Sequence, residues 1–405
     1  MEKKVRIFFT VIIIIGIVAP AFGRTNEDMD RIIIGFEPAG SKQNILDVIK
    51  KYNGEVLEEI PAINAIVVNV PSKLRIALNS DMTLNKYARY IEDDAIISIP
   101  PDEITMAPVN SIQLTPDDPL YANLWGIRMI QANYTWNVTT GNKNTIVAVI
   151  DTGADYNHED LSAVNASLGW DFVNNDADPM DDNGHGTHVA GTVAATINNG
   201  KGVVGVAPGI TIMPLKVLDS NGSGRISDIA NAITYAADHG ARILSMSFGS
   251  WFPSKAMEDA TKYAVYTKGT LAFAAAGNDG LQLNTYPAAY NWILAVAAVG
   301  YDGNRAAYSN HGAFVDIAAP GGSNDGNQRH DILSTWPGST YAYAAGTSMA
   351  TPHASGVAAL YWSYNPSLTN AQIGNALIKN ADDKGAVGWD KYYGYGIIDA
   401  WPANG

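Results

Sequence analysis

From about Thr115 onward the chain alternates short, unbroken apolar runs with longer amphipathic stretches, and this alternation limits the possible folds more than any other feature. The apolar runs are TIVAVID (145–151), ITIMPLKVL (210–218), ARILSMSFG (241–249), TLAFAAAGN (270–278), ILAVAAVG (293–300) and FVDIAAPG (314–321). Between them lie GTHVAGTVAATI (186–197), SDIANAITYAADHG (227–240) and KAMEDATKYAVYTKG (255–269). A strand with no polar face needs cover on both sides. The pattern therefore predicts an α/β fold, a mainly parallel central sheet with helices on both faces. In such sheets functional residues gather at the C-terminal ends of the strands.

The first hundred residues read differently. Lys3, Lys4 and Arg6 precede an apolar run from Ile7 to Val18, and Ala21-Phe22-Gly23 offers small residues for cleavage. The run is short for a membrane span, so 1–23 reads as an export signal, with an uncleaved anchor as the alternative. No later run is apolar enough to cross a bilayer. Beyond it, Ile32-Ile33-Ile34 predicts a strand, and Ser41 the start of a helix carrying Ile45, Leu46 and Ile49. Ala65–Val70 predicts a second strand, Leu74–Leu78 a helix and Ala95–Ile99 a last strand. Together these make a small α+β domain over 24–102. Pro100-Pro101 ends it and a polar stretch follows, so the large domain is 103–405, with a mature start between 101 and 115.

Composition removes several function classes. The chain has no cysteine, which excludes disulfides, thiolate metal sites and a thiol nucleophile. Its net charge is −14, and the acidic excess lies after residue 101. Such a surface repels nucleic acid but supplies oxygen ligands for cations, or simply solvates a secreted protein. The seven histidines form no HExxH pattern, so catalytic zinc is not expected.

Three motifs carry chemistry. VAVIDTG (147–153) ends a strand on Asp151, which alone could merely cap a turn. DDNGHGTHVAGT (181–192) surrounds His185 with small residues at a helix start, and His188, one turn on, points into packing. GTSMATPH (346–353) puts Ser348 at another helix start, where free N–H groups favour negative charge. Pro352 is read there as a first-turn residue, needing no hydrogen-bonded N–H. Asp, His and Ser, in that order on an α/β scaffold, resemble the subtilisin-like serine proteases, closest in style to the thermitase and bacterial subtilisin groups. The resemblance runs from DDPLYANLWGI (117–127) to YGYGIIDA (393–400), and the small N-terminal domain is similar to the family's inhibitor-type propeptide, ferredoxin-like in fold.

The resemblance implies a set of roles. Ser348 is the nucleophile, His185 its base, and Asp151 the partner that fixes the imidazole tautomer. Asn278 donates to the oxyanion, although in isolation it reads as a turn residue. Gly222, Ser223 and Gly224, with Ser247, Phe248 and Gly249, are the two segments that sandwich an extended peptide. Ala275, Ala276 and Gly277 complete the primary pocket, with Thr285 at its floor or else in a turn. No acid stands at those aligned positions, so apolar or aromatic residues are expected before the cut. Two calcium cages follow from the same likeness. One takes side chains of Asp118, Asp160 and Asn199 with carbonyls of Thr196, Lys201 and Val203; Glu159 stands where the family usually has proline. The other takes Asp171, Asp176 and Asp178, and is otherwise a solvated acidic turn.

The expectation is a secreted, monomeric, calcium-stabilised serine endopeptidase with one or two structural ions and no organic cofactor. It acts on polypeptides, is inhibited in cis by its own propeptide, and binds neither nucleic acid nor, once the signal is removed, membrane. A peptide-binding protein without activity and an esterase are the rival readings.

Overall fold

A computed structural model describes residues 28–37, 41–99, 105–106 and 116–400. The 1–23 leader and most of the 101–115 stretch expected to hold the mature start lie outside the described residues.

The small domain comprises β1 (Met29–Phe36), α1 (Ser41–Lys51), β2 (Glu55–Ile60), β3 (Ala65–Pro71), α2 (Arg75–Asn79), α3 (Met82–Tyr87) and β4 (Ala88–Asp93). Its four strands form one antiparallel sheet in the order β2-β3-β1-β4. Strand alternation gives this sheet two apolar faces. Ile32, Ile34, Val68 and Val70 pack with Ile45 and Ile49 of α1. Ile33, Ile60 and Val67 face the other way and join a core shared with the large domain.

The last strand expected of the small domain, Ala95–Ile99, corresponds to β5 (Ile96–Ser98), but it leaves that sheet. The edge beside β1 is already taken by β4, whose charged sequence ARYIED hid it as a strand. β6 is the two-residue strand Thr105–Met106.

In the large domain α4 (Trp125–Met129) and α5 (Ala132–Thr135) lead into β7 (Ile146–Asp151), β8 (Trp170–Asp171) and α6 (His185–Ala194). There follow β9 (Thr211–Lys216), β10 (Ser223–Arg225), α7 (Ile226–Asp238), β11 (Ile243–Met246), α8 (Lys255–Lys262), β12 (Leu271–Ala275), β13 (Leu294–Val299) and β14 (Ile317–Pro320). The hairpin β15 (Ile332–Trp336) and β16 (Thr340–Ala344), then α9 (Thr347–Tyr364) and α10 (Asn370–Asn380), complete it. Seven strands form a parallel sheet in the order β14-β13-β12-β11-β7-β9-β8, as the apolar runs predict.

β7 shows why both faces are covered. Val147 and Val149 pack with Val189 of α6 and Val357 of α9, while Ala148 and Ile150 pack with Ile229 and Ile233 of α7. From β7 the chain builds outward first on the β9 side and then on the β11 side. The crevice beyond the end of β7 is therefore the switch point where such sheets bind ligands. Among the described residues no helix is long and apolar enough to cross a membrane.

Candidate active site

Asp151 is the last residue of β7 and is fully buried. Its Oδ1 accepts from the Thr152 N–H at 2.7 Å and lies 2.7 Å from His185 Nδ1. His185 opens α6. Gly184 before it has φ 116°, and a Cβ there would lie 2.2 Å from the Trp336 ring; a Cβ on Gly186 would lie 2.1 Å from the Gly153 carbonyl. These glycines are what let the helix start close onto the strand end. His188 packs as expected: its Nε2 meets the Ile332 carbonyl at 3.0 Å, and burial pushes its pKa down to about 3, so it is neutral.

Sequence reasoning missed the residue that holds this junction together. Asp181, nearly fully buried, accepts from the N–H groups of Asn183, Gly184 and Thr187 and from the hydroxyls of Thr187 and Thr152, all within 2.9 Å. Thr152 Oγ1 in turn accepts from the Gly186 N–H at 2.8 Å. One carboxylate thus caps α6 and fastens it to the strand end. The acidic run 181–182 signals charge and could cap the helix locally, but its tie to Thr152 at the strand end lies 29 positions back in the sequence.

Ser348 is the second residue of α9, with its Oγ donating to the Ser247 carbonyl at 3.1 Å. Ser247 Oγ returns a bond to the Ser348 carbonyl at 2.9 Å. Pro352 explains that exchange and corrects its reading as a first-turn residue. It lies in the second turn of α9, where its missing N–H leaves the Ser348 carbonyl without a helical donor. Asn278 Oδ1 accepts from the N–H and hydroxyl of Thr347, at 2.9 and 2.8 Å. That fixes the amide, leaving its NH2 as the donor end. Thr347 was not singled out in the sequence, although it stands inside GTSMATPH.

Ser247, Phe248, Gly249, Ala275, Gly277, Asn278, Thr285 and Ser348 line one cleft of about 430 Å³. Thr285 sits between its walls: a Cβ on Gly249 would meet its methyl at 2.3 Å, and one on Gly277 its hydroxyl at 2.8 Å. One expectation needs correcting. Ala276 points away from the cleft and packs with Ala297, Val299 and Ala318, because successive residues at a strand end face opposite ways. The aligned pocket positions carry no acid, as expected, but one stands beyond them. Asp279 lies on the cleft lining, with its carboxylate bonded by Asn310 Nδ2 at 3.0 Å.

Ile96–Ile99 from the small domain also line the cleft. β5 pairs antiparallel with β10, Ser98 opposite Ser223 and Ile97 opposite Gly224, and the Ile99 N–H donates to the Gly222 carbonyl at 2.8 Å. A Cβ on Gly222 would lie 2.4 Å from Ile99, so glycine is what admits this strand.

Residues 142–396 match the model of the subtilase family, and residues 29–92 match the fervidolysin N-terminal prodomain. The chain belongs to the subtilase family. This subtilase is 44% identical to a thermophilic serine proteinase of Bacillus sp. (strain AK1), over 71% of the present chain and 69% of that protein. It is 42% identical to thermitase of Thermoactinomyces vulgaris, over 71% of the present chain and 99% of the relative. Among solved structures it is similar to fervidolysin from Fervidobacterium pennivorans, a keratinolytic enzyme related to subtilisin, with a TM-score of 0.79 and 30% identity. That match covers 94% of the subtilase but only 61% of fervidolysin. The subtilase is a serine endopeptidase with an N-terminal prodomain.

The two candidate calcium cages of the subtilase differ. Asp118 and Asp160 are buried and converge on the 196–203 loop. Asp118 accepts from the N–H groups of Asn198 and Asn199, and Asp160 from Asn199 Nδ2 at 2.7 Å and the Val203 N–H at 2.9 Å. Thr196 donates twice to the Asp160 carbonyl, and the Lys201 N–H donates to Asn199 Oδ1. The Lys201 ammonium turns outward to Glu159 at 2.6 Å. With no cationic side chain between them, burial raises the pKa of both carboxyls, that of Asp160 to about 7.

At the second candidate cage, Asp171, Asp176 and Asp178, the carboxylates carry hydrogen bonds of their own. Among the described residues no three acidic or histidine side chains converge as a metal cage. Asp171 is satisfied instead by the Val173 and Asn174 N–H groups and the Asn174 amide, and Asp178 by Tyr156 and the Met180 N–H.

Proposed function

We propose that this subtilase is a secreted endopeptidase, made as a self-inhibited precursor, that hydrolyses extended polypeptides through Asp151, His185 and Ser348. The observation that carries the reading is the position of β5: an extended segment of the chain pairs with β10 and walls the cleft lined by Ser348 and Asn278. On this reading 1–23 is the export signal, 24–102 the prodomain, and 103–405 the enzyme.

His185 Nε2 takes the Ser348 proton as Oγ attacks the peptide carbonyl carbon; Nδ1, bonded to Asp151, stays protonated, and the carboxylate stabilises the imidazolium. Negative charge moves to the carbonyl oxygen. The Asn278 NH2 and the Ser348 N–H at the start of α9 are the donors for it. The value of such a side-chain donor, ~2.7–4 kcal/mol, is taken over from subtilisin itself. Collapse expels the amine, which receives the proton from His185 and leaves an acyl group on Ser348. Water then repeats the two proton transfers and releases the acid.

β10 reads backbone, so sequence preference comes from side-chain pockets. Ile97, inward-facing on β5, is 4% exposed and packs with Phe248, Leu218 and Ile226. A substrate strand in its place would favour a bulky aliphatic residue there. Phe248 and Thr285 favour apolar and aromatic residues at the primary pocket, with Asp279 adding tolerance for a basic tip.

One calcium ion fits the Asp118–Asp160 site, since two buried carboxylates lack a cationic side-chain partner. Asn199 would be the third side-chain ligand, and Thr196, Lys201 and Val203 lie on the loop whose carbonyls would complete it. Bound there, the ion would fasten the segment before α4 to the 196–203 loop.

The deciding experiment compares the chain from residue 24 with its Ser348→Ala variant, each followed by mass in calcium buffer. Only the unaltered chain should shed the prodomain and digest casein. Two folded chains that both stay intact and inert would overturn the reading.

A further inference from the structure

Lys216, the last residue of β9, is 1% exposed. A buried ammonium loses several kcal/mol of hydration unless its donors are satisfied, so an apolar residue of similar length would suit a plain core better. All three donors of Lys216 Nζ are used. They meet the Thr152 carbonyl at 2.9 Å, Asp182 Oδ1 at 2.5 Å and the Leu218 carbonyl at 2.9 Å.

The three acceptors belong to the three segments that build the site. Thr152 follows Asp151, which is the register partner of Lys216 in the sheet. Asp182 stands three residues before His185. Leu218 begins the turn into β10, and Asp219 beside it accepts from the Asn221 and Ser223 N–H groups. Asp182 is half-exposed and covers the ammonium from solvent.

We infer that Lys216 is a positioning residue of the hydrolytic centre: its ammonium ties the Asp151 strand end, the His185 approach and the entry to β10 together, and the Lys216–Asp182 pair keeps the field at His185 close to neutral. The inference rests on the proposed roles of Asp151, His185 and Ser348. Other ionisable groups near His185 include Asp151, Asp181 and the neutral His188. Lys216→Met keeps the length but leaves Asp182 uncompensated, which favours the imidazolium. Asp182→Asn leaves the ammonium uncompensated, which disfavours it. The double variant restores neutrality without restoring the bonds.

The test is the pH dependence of kcat/KM on one peptide substrate for the unaltered enzyme and these three variants. The acid limb should move up in Lys216→Met and down in Asp182→Asn, each by roughly half a pH unit to one unit. In the double variant it should return while kcat stays at least about tenfold low, a size typical of misplaced catalytic groups. A Lys216→Met enzyme that is less heat-stable but has an unmoved limb and kcat would overturn the inference, as would an unmoved limb in Asp182→Asn. If Lys216→Met does not fold, Asp182→Asn decides alone. Failure of the triad reading looks different: the unaltered enzyme would be inactive, or Ser348→Ala would be as active as it is.

Discussion

Two groups of carboxylates in this subtilase do the same physical work in opposite circumstances. Asp181 accepts from the first turn of α6 and never leaves its own domain. Glu92 and Asp94 do the same for α8 and α7, but from across the prodomain boundary. Glu92 accepts from the Lys255 and Ala256 N–H groups, both at 2.8 Å, and Asp94 from the Ser227 N–H at 2.9 Å. A cap inside a domain is lost only on unfolding. A cap across a boundary is exchanged for water when the partner leaves, so it can hold firmly and still let go.

The largest effect should come from removing the internal cap. Asp181→Ala strands five donors and should cost about 3–5 kcal/mol, read by denaturant unfolding of the processed enzyme. A loss below about 1 kcal/mol would break the contrast. Asp118 and Asp160 sharpen it, because they cap no helix and are buried with little to neutralise them. Chelating calcium should lower stability by about 3 kcal/mol at a hundredfold excess of ion over Kd, and Asp160→Asn should erase that difference. Equal melting with and without chelator in the unaltered enzyme would dismiss the ion.

Removing a boundary cap should be milder and confined to binding. Asp94→Ala or Glu92→Ala should each weaken inhibition by the released prodomain about tenfold, the worth of one cap, with the melting of the processed enzyme unchanged. A further effect is on pH. Asp228 of α7 is pushed up to about 7, first by burial and then by Asp94 and Glu58, against Arg31 and Arg225. A carboxyl raised in the complex and ordinary after release binds a proton on association. Inhibition should therefore be tightest in acid, weaken from about pH 4 to about pH 7 by at most tenfold per unit, and level off above that. Asp228→Asn should flatten the slope; an unchanged slope would move the linkage elsewhere.

What was legible in the sequence follows from range. Asp151, His185 and Ser348 each stand in a short motif with glycine close by, at a strand end or a helix start, so local pattern locates them. The parallel sheet was legible because strands covered on both faces have no polar alternation. Thr347 and Asn310 bond to partners about thirty to seventy positions away, and Asp181 and Lys216 add to their local bonds ties to Thr152, about thirty and more than sixty positions off, which periodicity cannot reveal. β5 looked like any small-domain strand, because its sequence says that it will pair but not with what. The Asp171–Asp178 run has the charge of a cation site, and its carboxylates accept from its own backbone, from Asn174 and from the distant Tyr156, which the sequence does not pair with it.

The pairing of β5 with β10 has a consequence for concentration. While the chain is intact, the strand that occupies β10 at the cleft is tethered beside it, and occupancy does not depend on how much protein is present. Once the connection between the domains is cut, the same contacts answer to mass action. A crowded solution keeps β10 occupied and a dilute one frees it. If the enzyme is exported as proposed, dispersal into the surrounding volume is enough to switch it on.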